Sequence, residues 1–315
     1  MKPNSSSGIF LLAAALSAIF MGSIGSISVF AGTTAETVTF YRLFLGALLV
    51  SFLLLASGQQ ARLFVWPGFK VLITGFFLAG FVVFYIQAME YTSMANAVMI
   101  MYLAPLTAAV TAHFLMGEKL TKAAIGMIFI ALLGFAMMME FNFSLSGRAA
   151  EAKGLLFALA AMLSYTAFML INRVINPEIH VLTRSGYQML AGALVMLPLM
   201  LLQAPELNLE QWGWLAAAGV FPGFLAILLA VVALRSLPAS TFGTLAYLEP
   251  ITVVCLAWVL FDQTLNSLQL AGCGLILLAG CGQAWLMSRP AKALHQPLDQ
   301  RFDSGADPEA VEGQS

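Results

Sequence analysis

The sequence predicts an all-α integral membrane protein of ten transmembrane helices, arranged as two inverted five-helix repeats with both termini cytoplasmic. Three observations predict it. Hydrophobic residues make up 61% of the chain and charged residues only 9%. Apolar runs recur ten times between polar breaks, and the second half repeats motifs of the first at a nearly constant offset. Soluble domains carry about 25% charged residues, so a water-exposed surface of this composition would aggregate. In lipid the same composition is expected, because apolar side chains can face hydrocarbon as well as the core. A formal net charge of −1 offers no basic face to nucleic acid.

A helix needs about 20 apolar residues to cross a roughly 30 Å hydrocarbon core. Runs of that kind lie near 8–30, 36–57, 67–89, 93–116 and 121–140, then 154–172, 181–203, 212–234, 239–261 and 266–288. Polar and turn residues separate them, among them Gly58-Gln59-Gln60, Gly117-Glu118-Lys119 and Asn176-Pro177-Glu178. The first run imitates a signal peptide, with Lys2 ahead of it and small residues near its end. Its counterpart in the middle of the chain argues that it is retained. The expected organisation is a short cytoplasmic N-terminus (1–7), a first repeat (8–143), a second repeat (154–288) and a polar, disordered cytoplasmic tail (289–315).

Orientation follows from where Lys and Arg fall. With the N-terminus inside, eleven of them (Lys2, Arg62, Lys70, Lys119, Lys122, Arg173, Arg184, Arg235, Arg289, Lys292 and Arg301) are cytoplasmic. Only Arg148 and Lys153 fall in an outer loop, and Arg42 lies within a span.

The repeat is read from paired motifs. At an offset of 145 residues, Tyr102-Leu103 falls on Tyr247-Leu248, Pro105 on Pro250 and Thr107 on Thr252. At 146, Gly126 and Gly134 fall on Gly272 and Gly280, and Gly46 on Gly192. Five spans per half is an odd number, so the second half enters the membrane from the opposite side. Secondary transporters recurrently use this plan, with a binding site near the midplane between the halves.

Taken with their order and spacing, these residues resemble the drug/metabolite transporter superfamily, specifically its EamA-type ten-helix permeases and exporters. The first half carries the resemblance in Ala88-Met89-Glu90-Tyr91-Thr92-Ser93, Leu103-Ala104-Pro105 and Met116-Gly117-Glu118-Lys119-Leu120-Thr121. The second half carries it in Ala233 to Ala239, Leu248-Glu249-Pro250 and Gly272, and Arg42 matches a position where the family often has arginine. One departure is Asp262-Gln263-Thr264-Leu265 in place of the second Gly-Glu-x-Leu. The resemblance implies a multi-pass protein of the cell membrane, the inner membrane in a bacterium. Its implied work is export of small organic metabolites, amino acids or related solutes, by alternating access through a central midplane cavity.

Ionisable groups inside lipid cost at least about 2.5–3.5 kcal/mol and usually face a cavity or a partner. Glu249 sits near the middle of the ninth span. It reads either as a proton-coupling carboxylate or counter-charge for a cationic solute, or as an acid holding the helix break at Pro250. Arg42 reads as a snorkelling anchor, as a partner of Glu249, or as a partner for a solute carboxylate. Pro105 and Pro250 each remove a backbone hydrogen bond, which makes them candidate hinges. Tyr102 and Tyr247, three residues upstream, offer a hydroxyl and an aromatic face to an organic solute or to a neighbouring helix. The resemblance places Tyr85, Gln87, Asn96, Tyr165, Phe168, Asn172 and Gln188 on spans around the pore.

No cysteine or histidine cluster has metal-ligand spacing, so neither a cofactor nor a metal is expected. The expected partners are a small-molecule substrate and the bilayer, with proton coupling and facilitated diffusion both open, in a monomer or loose dimer. The alternative, a membrane-embedded enzyme acting on lipid or prenyl groups, calls for clustered acids, histidines or metal ligands. The sequence holds no HExxH, no aspartate-rich pair and no nucleophile beside a base, so it is read as a non-enzyme.

Overall fold

Backbone amides and carbonyls have no water to bond in hydrocarbon, so an apolar chain must satisfy them within helices. The computed structural model describes residues 5–117, 121–138, 140–141, 149–203, 205–234 and 245–288, with Leu237 and Phe242. Among the described residues the regular structure is entirely helical. Seven helical stretches are long and apolar enough to cross a membrane, and three shorter apolar ones (Ile125–Met138, Leu248–Phe261 and Ser267–Gly282) fall where further spans are expected. Glu118, Lys119, Arg148, Arg235 and the tail from 289 lie outside the described residues.

In chain order the helices are α1 (Ser5–Gly22), α2 (Ile24–Ala31), α3 (Ala35–Ala56), α4 (Phe69–Met89), α5 (Met94–Met101), α6 (Ala104–Met116) and α7 (Lys122–Met138). There follow α8 (Ala149–Arg173), α9 (Val181–Gln203), α10 (Leu209–Ala218), a π-helical turn (Gly219–Leu225), α11 (Ala226–Leu234), α12 (Leu248–Phe261) and α13 (Ser267–Ser288). Thr34, Ser93 and Asn208 cap α3, α5 and α10 with their side chains, and the Asn208 cap is reciprocated by Gln211.

Four spans depart from the continuous helices the sequence suggests. The first breaks at Ser23, whose hydroxyl donates to the Phe20 carbonyl at 2.7 Å and so competes with the helix ladder. The fourth breaks at Tyr102-Leu103, ahead of the expected Pro105. The proline fits the start of α6, where the missing N–H has no helical partner anyway. The eighth carries the π turn around Pro222, which cannot donate to the ladder. In the ninth, α12 starts at Leu248, so Glu249 stands in its first turn rather than mid-helix.

The distribution of polarity is inverted relative to a soluble domain. Phe52, Phe114, Phe129 and Leu202 are exposed, whereas Thr37, Thr39, Arg42, Thr74, Thr183 and Gln188 are buried. The packing is also exchanged between the two halves. α1 packs on α11 while α8 packs on α4, and α3 packs on the π turn while α9 packs on α4. Glycines allow the closest crossings. A Cβ on Gly75 would stand 2.5 Å from the Gln188 carbonyl, and one on Gly192 would stand 2.8 Å from the Gly75 carbonyl. At the α3 crossing, a Cβ on Gly46 would lie 3.0 Å from the Gly223 carbonyl, and one on Gly223 2.7 Å from that of Arg42.

These crossings predict that Gly75→Val and Gly192→Val each destabilise the fold by about 1–3 kcal/mol through overpacking. Gly213, in the interior of α10, has open space around it, so Gly213→Ala should be neutral or stabilise by up to about 1 kcal/mol. Thermal unfolding in a single detergent would compare the three.

Candidate functional site

Where α1, α3, α4, α8, α9, the π turn and α12 meet, they leave a cavity of about 190 Å³. This is smaller than the several hundred Å³ of drug-sized sites, so it suits a compact solute. Its wall carries Arg42 on one side and Glu249 on another. Arg42 reaches it because Gly46 and Gly223 bring α3 against the π turn. The snorkelling reading of Arg42 is therefore corrected: the side chain is only 4% exposed and faces inward. Its Nη2 lies 3.0 Å from the Met21 Sδ, a weak acceptor.

Glu249 enters from the first turn of α12, where the helix dipole favours a carboxylate. The Tyr102 hydroxyl stands beside it, and Arg42 acts on it through space. Tyr102 in turn meets Tyr247 edge to face, with ring centroids 5.7 Å apart. Tyr247 packs against Gly280, where any side chain would collide with its ring. The two repeat-related tyrosines thus meet beside the cavity, although neither belongs to its wall.

An aromatic corner completes the chamber. Phe81 and Tyr165 lie 4.9 Å apart by ring centroid, and Phe168 stands 6.1 Å from Phe81. Beside them the Gln188 amide donates to Thr74 Oγ1 at 2.8 Å and to Asn172 Oδ1 at 2.9 Å. Arg42, Tyr165, Phe168, Gln188 and Glu249 are thereby brought to one cavity. Tyr85 lies nearby with its hydroxyl against Gly25.

Gln87 and Asn96 stand elsewhere. Gln87 donates to Glu36 Oε1 at 2.7 Å, and Asn96 lies in the first turn of α5, its side chain bonded to Thr92. Both face the rim where α3 begins and α4 ends. Sequence reasoning missed Phe81, Met21 and Ser185, which line the cavity. Phe81 lies four residues, about one helical turn, before Tyr85 on α4, and that spacing was the available signal. Among the described residues no group of three or more His, Cys, Asp or Glu is placed to hold a metal ion.

A second, larger cavity of about 290 Å³ between α3 and α9 is lined mainly by Leu, Val, Ala and Phe. It holds no charged group, unlike the Arg42–Glu249 chamber.

The rim itself carries opposed charges. Glu90 follows α4 and faces Glu36, while the Lys153 ammonium donates to the Tyr91 hydroxyl at 2.7 Å and sits over its ring. Partial burial raises the Glu90 pKa above its ordinary value of 4.5, Glu36 adds to the rise, and Lys153 opposes it.

The profile of the EamA-like transporter family matches residues 7–140 and, again, residues 152–282. Among curated relatives, an uncharacterized transporter of Bacillus subtilis, YxxF, is 28% identical over 85% of this chain and 89% of its own length. The threonine/homoserine exporter RhtA of Escherichia coli is 25% identical over 90% of this chain and 93% of its own. The pseudopaline exporter CntI of Pseudomonas aeruginosa is 25% identical over 78% and 84%. A crystal structure of a protein 20% identical in sequence superposes with a TM-score of 0.64, covering 89% of this chain and 99% of the other, and so shares the fold.

The rim predicts a pH effect. A carboxyl that keeps its proton more readily in the fold than in the unfolded chain costs stability as pH rises through its folded pKa. Glu90→Gln should therefore melt higher than the wild type at neutral pH, with the difference vanishing as pH falls below the ordinary carboxylate value of 4.5. Unfolding temperatures taken across that range would check the sign.

Proposed function

The chain belongs to the EamA-like transporter family, and from that premise we propose that it exports small organic metabolites, amino acids or related solutes, by alternating access. It is a multi-pass membrane protein. In this reading ten spans form two inverted units, 8–143 and 154–288, with both termini and the tail from 289 in the cytoplasm. The bias of Lys and Arg supports the orientation. The exchanged packing supports the inversion: Gly46 corresponds to Gly192 in the repeat, and each crosses a glycine of the other half. That RhtA and CntI are named exporters supports the direction.

One observation carries the proposal: a cation and a carboxylate line the same small chamber between the halves and act on each other through space. Inside a low-dielectric protein such charges are costly unless a partner meets them. A zwitterionic solute supplies both partners at once. Arg42 and Glu249 would take its charged groups, and Tyr165 and Phe168 would pack against its apolar part. The breaks beside Pro105 and Pro250 are the proposed hinges. With Tyr102 and Tyr247 standing at those breaks, opening either one alters the Tyr102–Glu249 contact.

Purified protein in liposomes should move at least one member of a panel of amino acids, amines and sugars. Glu249→Gln and Tyr102→Ala should slow it about tenfold or more, the cost of a hydrogen bond to a charged group. Vesicles that stay tight to the whole panel would overturn the reading. An imposed pH gradient separates the two modes, since proton coupling through Glu249 requires that Glu249→Gln lose the gradient-driven component while retaining exchange at equal pH.

A further inference from the structure

Two hydrogen-bond donors beside the chamber lack an acceptor. Among the described residues, neither Arg42 Nε nor the Tyr85 hydroxyl has a hydrogen-bond partner, and both atoms are shut off from solvent. A buried polar group without a partner has given up water and received nothing in exchange. For Arg42 the imbalance is greater, because a guanidinium does not shed its charge.

The first span marks the two donors about one helical turn apart, on either side of the break at Ser23. Arg42 reaches Met21, the Glu249 carbonyl lies 2.8 Å from where a Cβ on Gly22 would stand, and the Tyr85 hydroxyl lies 3.1 Å from where one on Gly25 would stand. Met21 to Gly25 spans four residues, about 6 Å of helix rise. Arg42, Tyr85 and Glu249 also lie within electrostatic reach of one another.

We propose that Arg42 and Tyr85 form a carboxylate-binding subsite, the Arg42 Nε–H and the Tyr85 O–H each donating to an oxygen of the solute's carboxylate. This rests on the transport reading above. The pair consists of two donors and one fixed positive charge, which complements an anionic oxygen group better than a carbonyl or a hydroxyl. The nearby Glu249 carboxylate disfavours a doubly charged phosphate and favours a single negative charge balanced by an ammonium. Tyr85 is not part of the chamber wall. It stands beyond the break at Ser23, so the pair is completed as that break shifts, and Tyr85 becomes a specificity determinant for passage rather than for first contact.

The test uses matched probes that keep the ammonium and side chain and change only the carboxylate: leucine, phenylalanine, threonine and histidine, each beside its carboxamide. Flux of all eight is measured in liposomes for the wild type, Tyr85→Phe and Arg42→Gln. The wild type should move at least one acid tenfold or more faster than its amide, since a polar site rejects an analogue that leaves its groups unpaired. Tyr85→Phe should cut that preference about tenfold and leave the melting temperature unchanged or higher, because it removes an unsatisfied hydroxyl. Arg42→Gln should abolish the preference. Equal flux of acid and amide in the wild type, or an unaltered preference in Tyr85→Phe, would overturn the subsite while transport stands. A wild type that moves none of the eight would overturn the amino-acid reading itself, and the subsite with it.

Discussion

A buried guanidinium and a half-buried carboxylate in an otherwise apolar helical body set the constraint on which the rest of this structure depends. Neither can face lipid without a cost of several kcal/mol, so both must be enclosed by protein. Enclosure requires helices that approach closely around a small space, which the glycine crossings of α3 with the π turn and of α4 with α9 provide. Small residues let backbones approach in this way within membranes. The breaks obey the same rule. Ser23 spends its hydroxyl on Phe20, and Ser17 donates to the Ala226 carbonyl at 2.7 Å just beyond the π turn. Irregular backbone is tolerated where protein groups satisfy it and a cavity is being lined.

Much of the fold was legible because hydrophobic run length is a strong signal. The expected spans 36–57, 67–89 and 181–203 fall within two residues of α3, α4 and α9 at each end. Arg42 and Glu249 were legible for a related reason: a charge inside an apolar run stands out without any knowledge of tertiary structure. The breaks were less legible. Proline marks a break, yet the helix yields three residues earlier, at Tyr102 and Tyr247, since Pro105 and Pro250 are comfortable in the first turn of the next helix. The break at Ser23 depends on one hydroxyl choosing a local carbonyl, which composition does not announce.

Side-chain facing was the least legible property. Gln87 and Asn96 are polar residues on the expected spans, but each lies about one turn from a helix end and finds a partner at the rim. Phe81 is apolar and carries no polar signal, although its ring meets that of Tyr165 at a tilt in the chamber. In a membrane protein both faces of a helix are apolar, and the periodicity that separates core from surface in water is largely erased. Rotation about the helix axis is then set by neighbours, which only the assembled structure supplies.

The Tyr102–Glu249 contact links the chamber to the helix breaks. Tyr102 caps the end of α5, and Glu249 lies in the first turn of α12, two residues past the equivalent tyrosine. In the proposed cycle a solute cation arriving at Glu249 competes with the Tyr102 hydroxyl for the same carboxylate. If it wins, Tyr102 loses its contact with the carboxylate, and that loss falls on the residue where α5 yields to α6. Binding energy is thereby delivered to a break rather than dissipated in the pocket. A solute can shift a conformational equilibrium only through such differential contacts. In the proposed cycle this one supplies the differential, and the same contact re-forms when the solute leaves.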